Sequence, residues 1–134
     1  MTRARPTRMS ALIVEDDRGL SALGASMLEE FDLRVEQVQT AEEAIDHLRS
    51  DAGSIAILVA DINLPGKMDG LALAHSVSLL WPSISVIVTS GQLGRPGALP
   101  HGAVFIPKPW RGLDIVAAAE RAARADHSVR SVRL

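Results

Sequence analysis

Residues 55–71 read IAILVADINLPGKMDGL. A run of six apolar residues, 55–60, stops at one carboxylate, Asp61, and a turn follows at Pro65 and Gly66. A run that is apolar at consecutive positions suits a strand covered on both faces, as in a parallel sheet between two layers of helices. The lone charge at its end raises the question of what that charge meets.

Four more apolar runs flank this one: ALIV at 11–14, LRVEQV at 33–38, ISVIVT at 84–89 and AVFI at 103–106. The first and fourth runs are also apolar on both faces, whereas 33–38 alternates and reads as an edge strand. Helical spacing separates them. Leu20, Leu23, Met27, Leu28 and Phe31 define the expected buried face of a first helix. Thr40 with Glu43 forms a capping box ahead of Ala41, Ala44, Ile45 and Leu48. Asp69 caps a third helix whose stripe is Leu71, Ala74, Val77 and then Leu80 or Trp81, ended by Pro82. A last helix buries Ile115, Val116, Ala119 and Ala123. Between the fourth and fifth runs stand Gly91, Gly94, Pro96, Gly97, Pro100 and Gly102, a composition that excludes a helix of normal length. The alternation implies a doubly wound α/β domain, in which ligands bind at the carboxyl ends of the strands.

The 134 residues allow one such domain, expected over residues 10–126 between a flexible arm (1–9) and a short tail (127–134), with no room for a second domain of ordinary length. Apolar residues make up 47% and charged ones 22%, and with two Phe, two Trp and no Tyr the core must be aliphatic. A formal charge of -2 gives no net positive field for nucleic acid or an anionic bilayer. The absence of cysteine excludes disulfides and thiolate chemistry. No membrane span or secretory signal stands out, and a cytoplasmic location is expected.

The strand ends carry the chemistry. Glu15, Asp16 and Asp17 follow the first run, Asp61 the third, Thr89 and Ser90 the fourth and Lys108 the fifth. Clustered carboxylates repel unless a cation shares their pocket. Their hard oxygens suit Mg²⁺, and Lys108 supplies a point charge for a phosphate or for Asp61 in its absence. Thr89 offers a hydroxyl donor. A carboxylate nucleophile is already ionised and needs no general base.

LIVEDD, LVADINLPGKMDGL, VIVTSG and FIPKPW together closely resemble the receiver domain of two-component response regulators, over about residues 11–125. The resemblance implies strand order 2-1-3-4-5 and makes Asp61 the acceptor of a phosphoryl group from a sensor histidine kinase or histidine phosphotransfer protein. It implies Mg²⁺ held by Glu15 through water, Asp16, Asp61 and the main-chain carbonyl of Asn63, with Lys108 and Thr89 on the phosphoryl oxygens. Thr89 and Phe105 match the pair that moves on activation, and an unknown downstream protein would read the change. Asp17 falls beyond the acidic pair and reads as a solvated residue at the start of the first helix.

The chain departs from the family in two places. PGKMDG has one more residue than the usual turn, so Gly66 and Lys67 lengthen the loop beside Asp61, either as a surface insertion or as a partner contact. The fourth family helix is missing or reduced. Rival readings remain: a degenerate receiver that only binds, or a phosphohydrolase with an aspartate nucleophile, although the latter class wants an aspartate where Asn63 stands. No phosphate-binding glycine loop follows the first run. The four histidines share no helix face or strand end and read as solvated or half-buried.

Overall fold

The computed structural model describes residues 10–91 and 97–121. Five parallel strands, β1 (Ser10–Val14), β2 (Arg34–Val38), β3 (Ile55–Asp61), β4 (Ser85–Ser90) and β5 (Val104–Pro107), form one sheet in the order β2-β1-β3-β4-β5. The three central strands bury nearly every residue, as their unbroken apolar runs require. The edge strand β2 exposes Arg34, Glu36 and Gln37, in keeping with its alternation. Pro107 lies on the other edge strand, where a missing N–H leaves no partner unsatisfied.

Helices α1 (Arg18–Glu29), α2 (Ala41–Asp51) and α3 (Gly70–Leu80) are joined by α4, helical over residues 112–121. α1 and α4 cover one face through Ala25, Leu28, Ile115 and Ala118 against Ile13, Ile57, Val59 and Ile87. α2 and α3 cover the other through Ala41, Ala44, Leu48, Leu73 and Val77 against Leu12, Leu58, Val86 and Val88. Each core is aliphatic, and among the described residues no helix is long and apolar enough to cross a membrane.

The caps form as their sequences dictate. Thr40 and Glu43 make the reciprocal capping box of α2, and Asp69 accepts the N–H of Ala72 at the start of α3. Asp17 caps α1 by accepting the N–H of Leu20. That use of Asp17 agrees with its reading as a helix-start residue.

Two helix faces differ from expectation. α1 buries Ser21, Gly24, Ala25 and Leu28, while Leu20, Leu23 and Phe31 are 48%, 57% and 41% exposed. The cause is proximity: a Cβ on Gly24 would stand 2.9 Å from the Trp110 ring and 3.3 Å from Ile13, so only a small residue fits where α1 meets the sheet and that ring. In α3 the main anchor is Leu73, Leu71 is only half-buried and Leu80 is exposed, while Trp81 packs against the core from beyond the helix end. In α4, Ile115 and Ala119 are buried as expected, Ala118 joins them and Val116 is half-buried.

Residues 97–103 contain no helix; 92–96, the arm, the tail and Ala123 lie outside the described residues. Leu99 and Ala103 pack against the α2–α3 side of the core, and His75 on α3 hydrogen-bonds through Nε2 to the carbonyl of Ala98 at 2.9 Å. Since a carbonyl only accepts, that ring nitrogen carries the proton. Gly97 passes close to Leu71. Residues 97–103 thereby cover surface on α3 without forming a helix.

Candidate functional site

Parallel register brings the polar strand ends to one edge. Val14 pairs with Ala60 and Asp61 with Thr89, so Glu15, Asp61 and Thr89 stand side by side as the chain leaves β1, β3 and β4. Lys108 follows β5, its N–H donating to the carbonyl of Ser90 at 3.0 Å, and the Lys108–Pro109 peptide bond is cis.

Glu15, Asp61 and Thr89 are buried, whereas Asp16 is exposed. The Lys108 ammonium donates to Glu15 Oε1 at 2.5 Å and to Asp61 Oδ2 at 2.9 Å. Burial alone would lower the pKa of this ammonium, but hydrogen bonds and charge from Glu15 and Asp61 outweigh it and hold the group above the ordinary lysine value. The expected pairing of Lys108 with Asp61 is present. The shorter contact with Glu15 was not legible in the sequence, because it joins residues 93 positions apart.

Backbone donors finish the arrangement. Asn63 N–H donates to Asp61 Oδ1 at 3.1 Å, and Asp17 N–H to Glu15 Oε2 at 3.1 Å. One oxygen from each of Glu15, Asp16 and Asp61 falls within 4.8 Å of the others. Three carboxylates so close, with one ammonium between two of them, leave an excess of negative charge in a set of hard oxygen donors, which fits a small divalent cation. Phe105 is half-buried on β5 beside Val88, on the face opposite Val104 and Ile106.

The family model described as the response regulator receiver domain matches residues 11–120 of this chain. The chain belongs to that family. The receiver domain here is 35% identical over 117 residues to the C4-dicarboxylate transport transcriptional regulatory protein DctD of Rhizobium meliloti (strain 1021), covering 84% of this chain and 25% of that protein. It is 30% identical over 122 residues to the transcriptional regulatory protein CpxR of Escherichia coli (strain K12), covering 87% of this chain and 50% of CpxR. The chain thus spans a quarter to a half of these relatives. A receiver domain structure from Clostridium thermocellum shares the fold, with TM-score 0.74 at 19% identity, covering 90% of this chain and 98% of that one.

Beside the receiver's acidic cluster lies a cavity of about 270 Å³, floored by Ile13 and Val59 and walled by Leu20, Leu23, Met27 and Trp110. Trp110 and Gly24 were not singled out by sequence reasoning. A glycine amid the leucines of an amphipathic helix was the available signal, since it marks a close approach.

Proposed function

We propose that this receiver domain takes a phosphoryl group on Asp61 from a sensor histidine kinase or histidine phosphotransfer protein, with Mg²⁺, and passes the signal by phosphorylation-dependent protein binding or by phosphorelay. The observation that carries the reading is the Lys108 ammonium bridging Glu15 and Asp61, with Thr89 in register beside Asp61. A purely structural ion pair has no use for the third carboxylate, Asp16, held within the same cluster.

An Asp61 oxygen forms the bond to phosphorus as the phosphorus–nitrogen bond of the donor phosphohistidine breaks. The imidazole keeps the electron pair of that bond. No base is required, because a carboxylate nucleophile is already ionised. The ammonium then holds a phosphoryl oxygen in place of Asp61 Oδ2, and the Thr89 hydroxyl donates to another. Glu15, through water, Asp16, Asp61 and the Asn63 carbonyl would hold the metal ion. When bound, Mg²⁺ offsets the carboxylate charge and that of the arriving phosphoryl oxygens.

The modified side chain carries about -1.5 to -2 charge where -1 stood before, which draws Thr89 inward and leaves room behind it for Phe105 to turn. A half-buried ring on an edge strand has the freedom for that movement. The chain is a signalling domain rather than an enzyme acting on an outside substrate, and the downstream protein would read the surface that Thr89 and Phe105 reshape.

Incubation with acetyl phosphate and Mg²⁺ should add one phosphoryl group, seen by intact mass, and Asp61→Asn should abolish it. Labelling that survives in Asp61→Asn, or that proceeds equally in EDTA, refutes the reading. A parent protein that takes no label and still binds partners would be a receiver used only for binding.

A further inference from the structure

The lengthened loop between β3 and α3 is held by a residue from another helix. Glu42, exposed at the second position of α2, accepts the N–H groups of Lys67 and Met68 on the same oxygen, Oε2, at 3.1 Å each. Its other oxygen lies against Gly66, where a Cβ would come within 2.8 Å. Gly66 has φ +99°, a left-handed conformation that glycine adopts without cost. Three consecutive residues therefore wrap one carboxylate. Successive backbone donors beside a left-handed residue form a concave anion site, here filled from within the chain.

This contact matters because of what stands between the anchors. At its start the loop is tied to the site by the Asn63 N–H on Asp61, and at its end by the Gly70 N–H on the carbonyl of Ile62 at 2.9 Å. The added residue falls between them, and each further unanchored residue multiplies the conformations that a loop explores. The Glu42 carboxylate removes that freedom in the middle of the loop, only a few residues from the Asn63 carbonyl.

We propose that Glu42 is a positioning residue for the metal centre: its carboxylate clamps the lengthened loop so that the Asn63 carbonyl is held toward Glu15, Asp16 and Asp61. This rests on the assignment of that carbonyl as a metal ligand. Glu42 touches neither metal nor phosphoryl group. It acts through the backbone at Gly66, Lys67 and Met68.

The test is calorimetric titration of Mg²⁺ into the parent, Glu42→Ala and Glu42→Gln, with phosphoryl labelling of the parent measured separately. Loss of an outer-shell partner costs about tenfold or more in metal affinity, so Glu42→Ala should bind Mg²⁺ about tenfold more weakly. Glutamine keeps an oxygen that accepts both N–H groups, and Glu42→Gln should stay within about threefold of the parent. Formate added to Glu42→Ala, against chloride at equal ionic strength, should refill the concavity and recover affinity, with no such effect on the parent.

Glu42 also lies in the first turn of α2, where a negative charge favours the helix. If that were its only role, glutamine would be as damaging as alanine and formate would do nothing. Either result overturns the proposal, as does a Glu42→Ala affinity within about twofold of the parent. The variants keep the Thr40–Glu43 capping box, so α2 has its N-terminal stop in each. A parent that binds Mg²⁺ but takes no phosphoryl group refutes the proposed function while the clamp still stands or falls on the affinity ratios. A parent that binds no Mg²⁺ overturns both.

Discussion

Gly70→Ala should damage this protein far beyond what one methyl group suggests. A Cβ at that position would stand 1.9 Å from the carbonyl oxygen of Asp61, 2.6 Å from its carbon and 2.8 Å from the Cα of Ile62. All three are backbone atoms, so no side-chain rotation relieves the contact. Restoring ordinary separation, 3.4 Å or more, requires α3 and the end of β3 to part by about 1.5 Å. Overpacking of this kind costs about 1 to 3 kcal/mol, and a backbone clash belongs at the upper end, near 3 kcal/mol. The parting falls on Asp61 itself. A misplacement of about 1 Å can lower a reaction rate about a hundredfold, which is the expected loss in phosphoryl labelling from a small donor.

The control is Gly19→Ala, inside α1, where the nearest atom to a new Cβ is Asp17 Oδ1 at an ordinary 3.4 Å. There alanine should stabilise by about 0.5 to 1 kcal/mol through helix propensity alone. Urea unfolding followed by circular dichroism gives both free energies, and intact mass over time gives labelling. If Gly70→Ala unfolds within about 0.5 kcal/mol of the parent, or labels at the parental rate, the close approach of α3 to Asp61 does not govern the site.

Two other substitutions probe the ion pair and a cap. Lys108→Met leaves Glu15 and Asp61 adjacent, buried and without their cation, and should destabilise the metal-free protein by about 3 kcal/mol, the low end for a broken buried pair because this pocket opens to water. The Lys108 pKa is raised on folding, so its contribution is complete below the unfolded lysine pKa, about 10.4, and fades as pH rises through the folded value. The gap between parent and Lys108→Met in urea titrations should therefore be level from pH 7 to about 10 and close above it; a gap that closes near neutrality refutes the pairing. Thr40→Ala removes the side-chain acceptor for the N–H of Glu43 and should cost about 1 kcal/mol in the same titration.

Some of this was written locally. The unbroken apolar runs at 55–60 and 84–89 indicated central strands because a strand buried on both faces has no polar position to spare. Thr40 and Glu43 named a helix start by their own reciprocal bonds. The α1 face was misjudged for an equally physical reason: Leu20 and Leu23 repeat at helical spacing as well as Gly24 and Ala25 do, and periodicity ranks faces by apolar content, not by how near the neighbour comes. The Trp110 ring decided the choice from far along the chain.

By itself the sequence determined the element order, the caps, the aliphatic core and the polar residues at the ends of four strands, because each depends on neighbours within a turn or a strand length. Tertiary structure decided which charges meet. Lys108 bridges Glu15 as well as Asp61, and Glu42 holds a loop 25 residues away, since contacts made across separate elements follow register and helix placement, which no local pattern records. Asp61 was readable as a lone carboxylate at the end of a buried strand; its surroundings became definite only when five strands aligned in parallel.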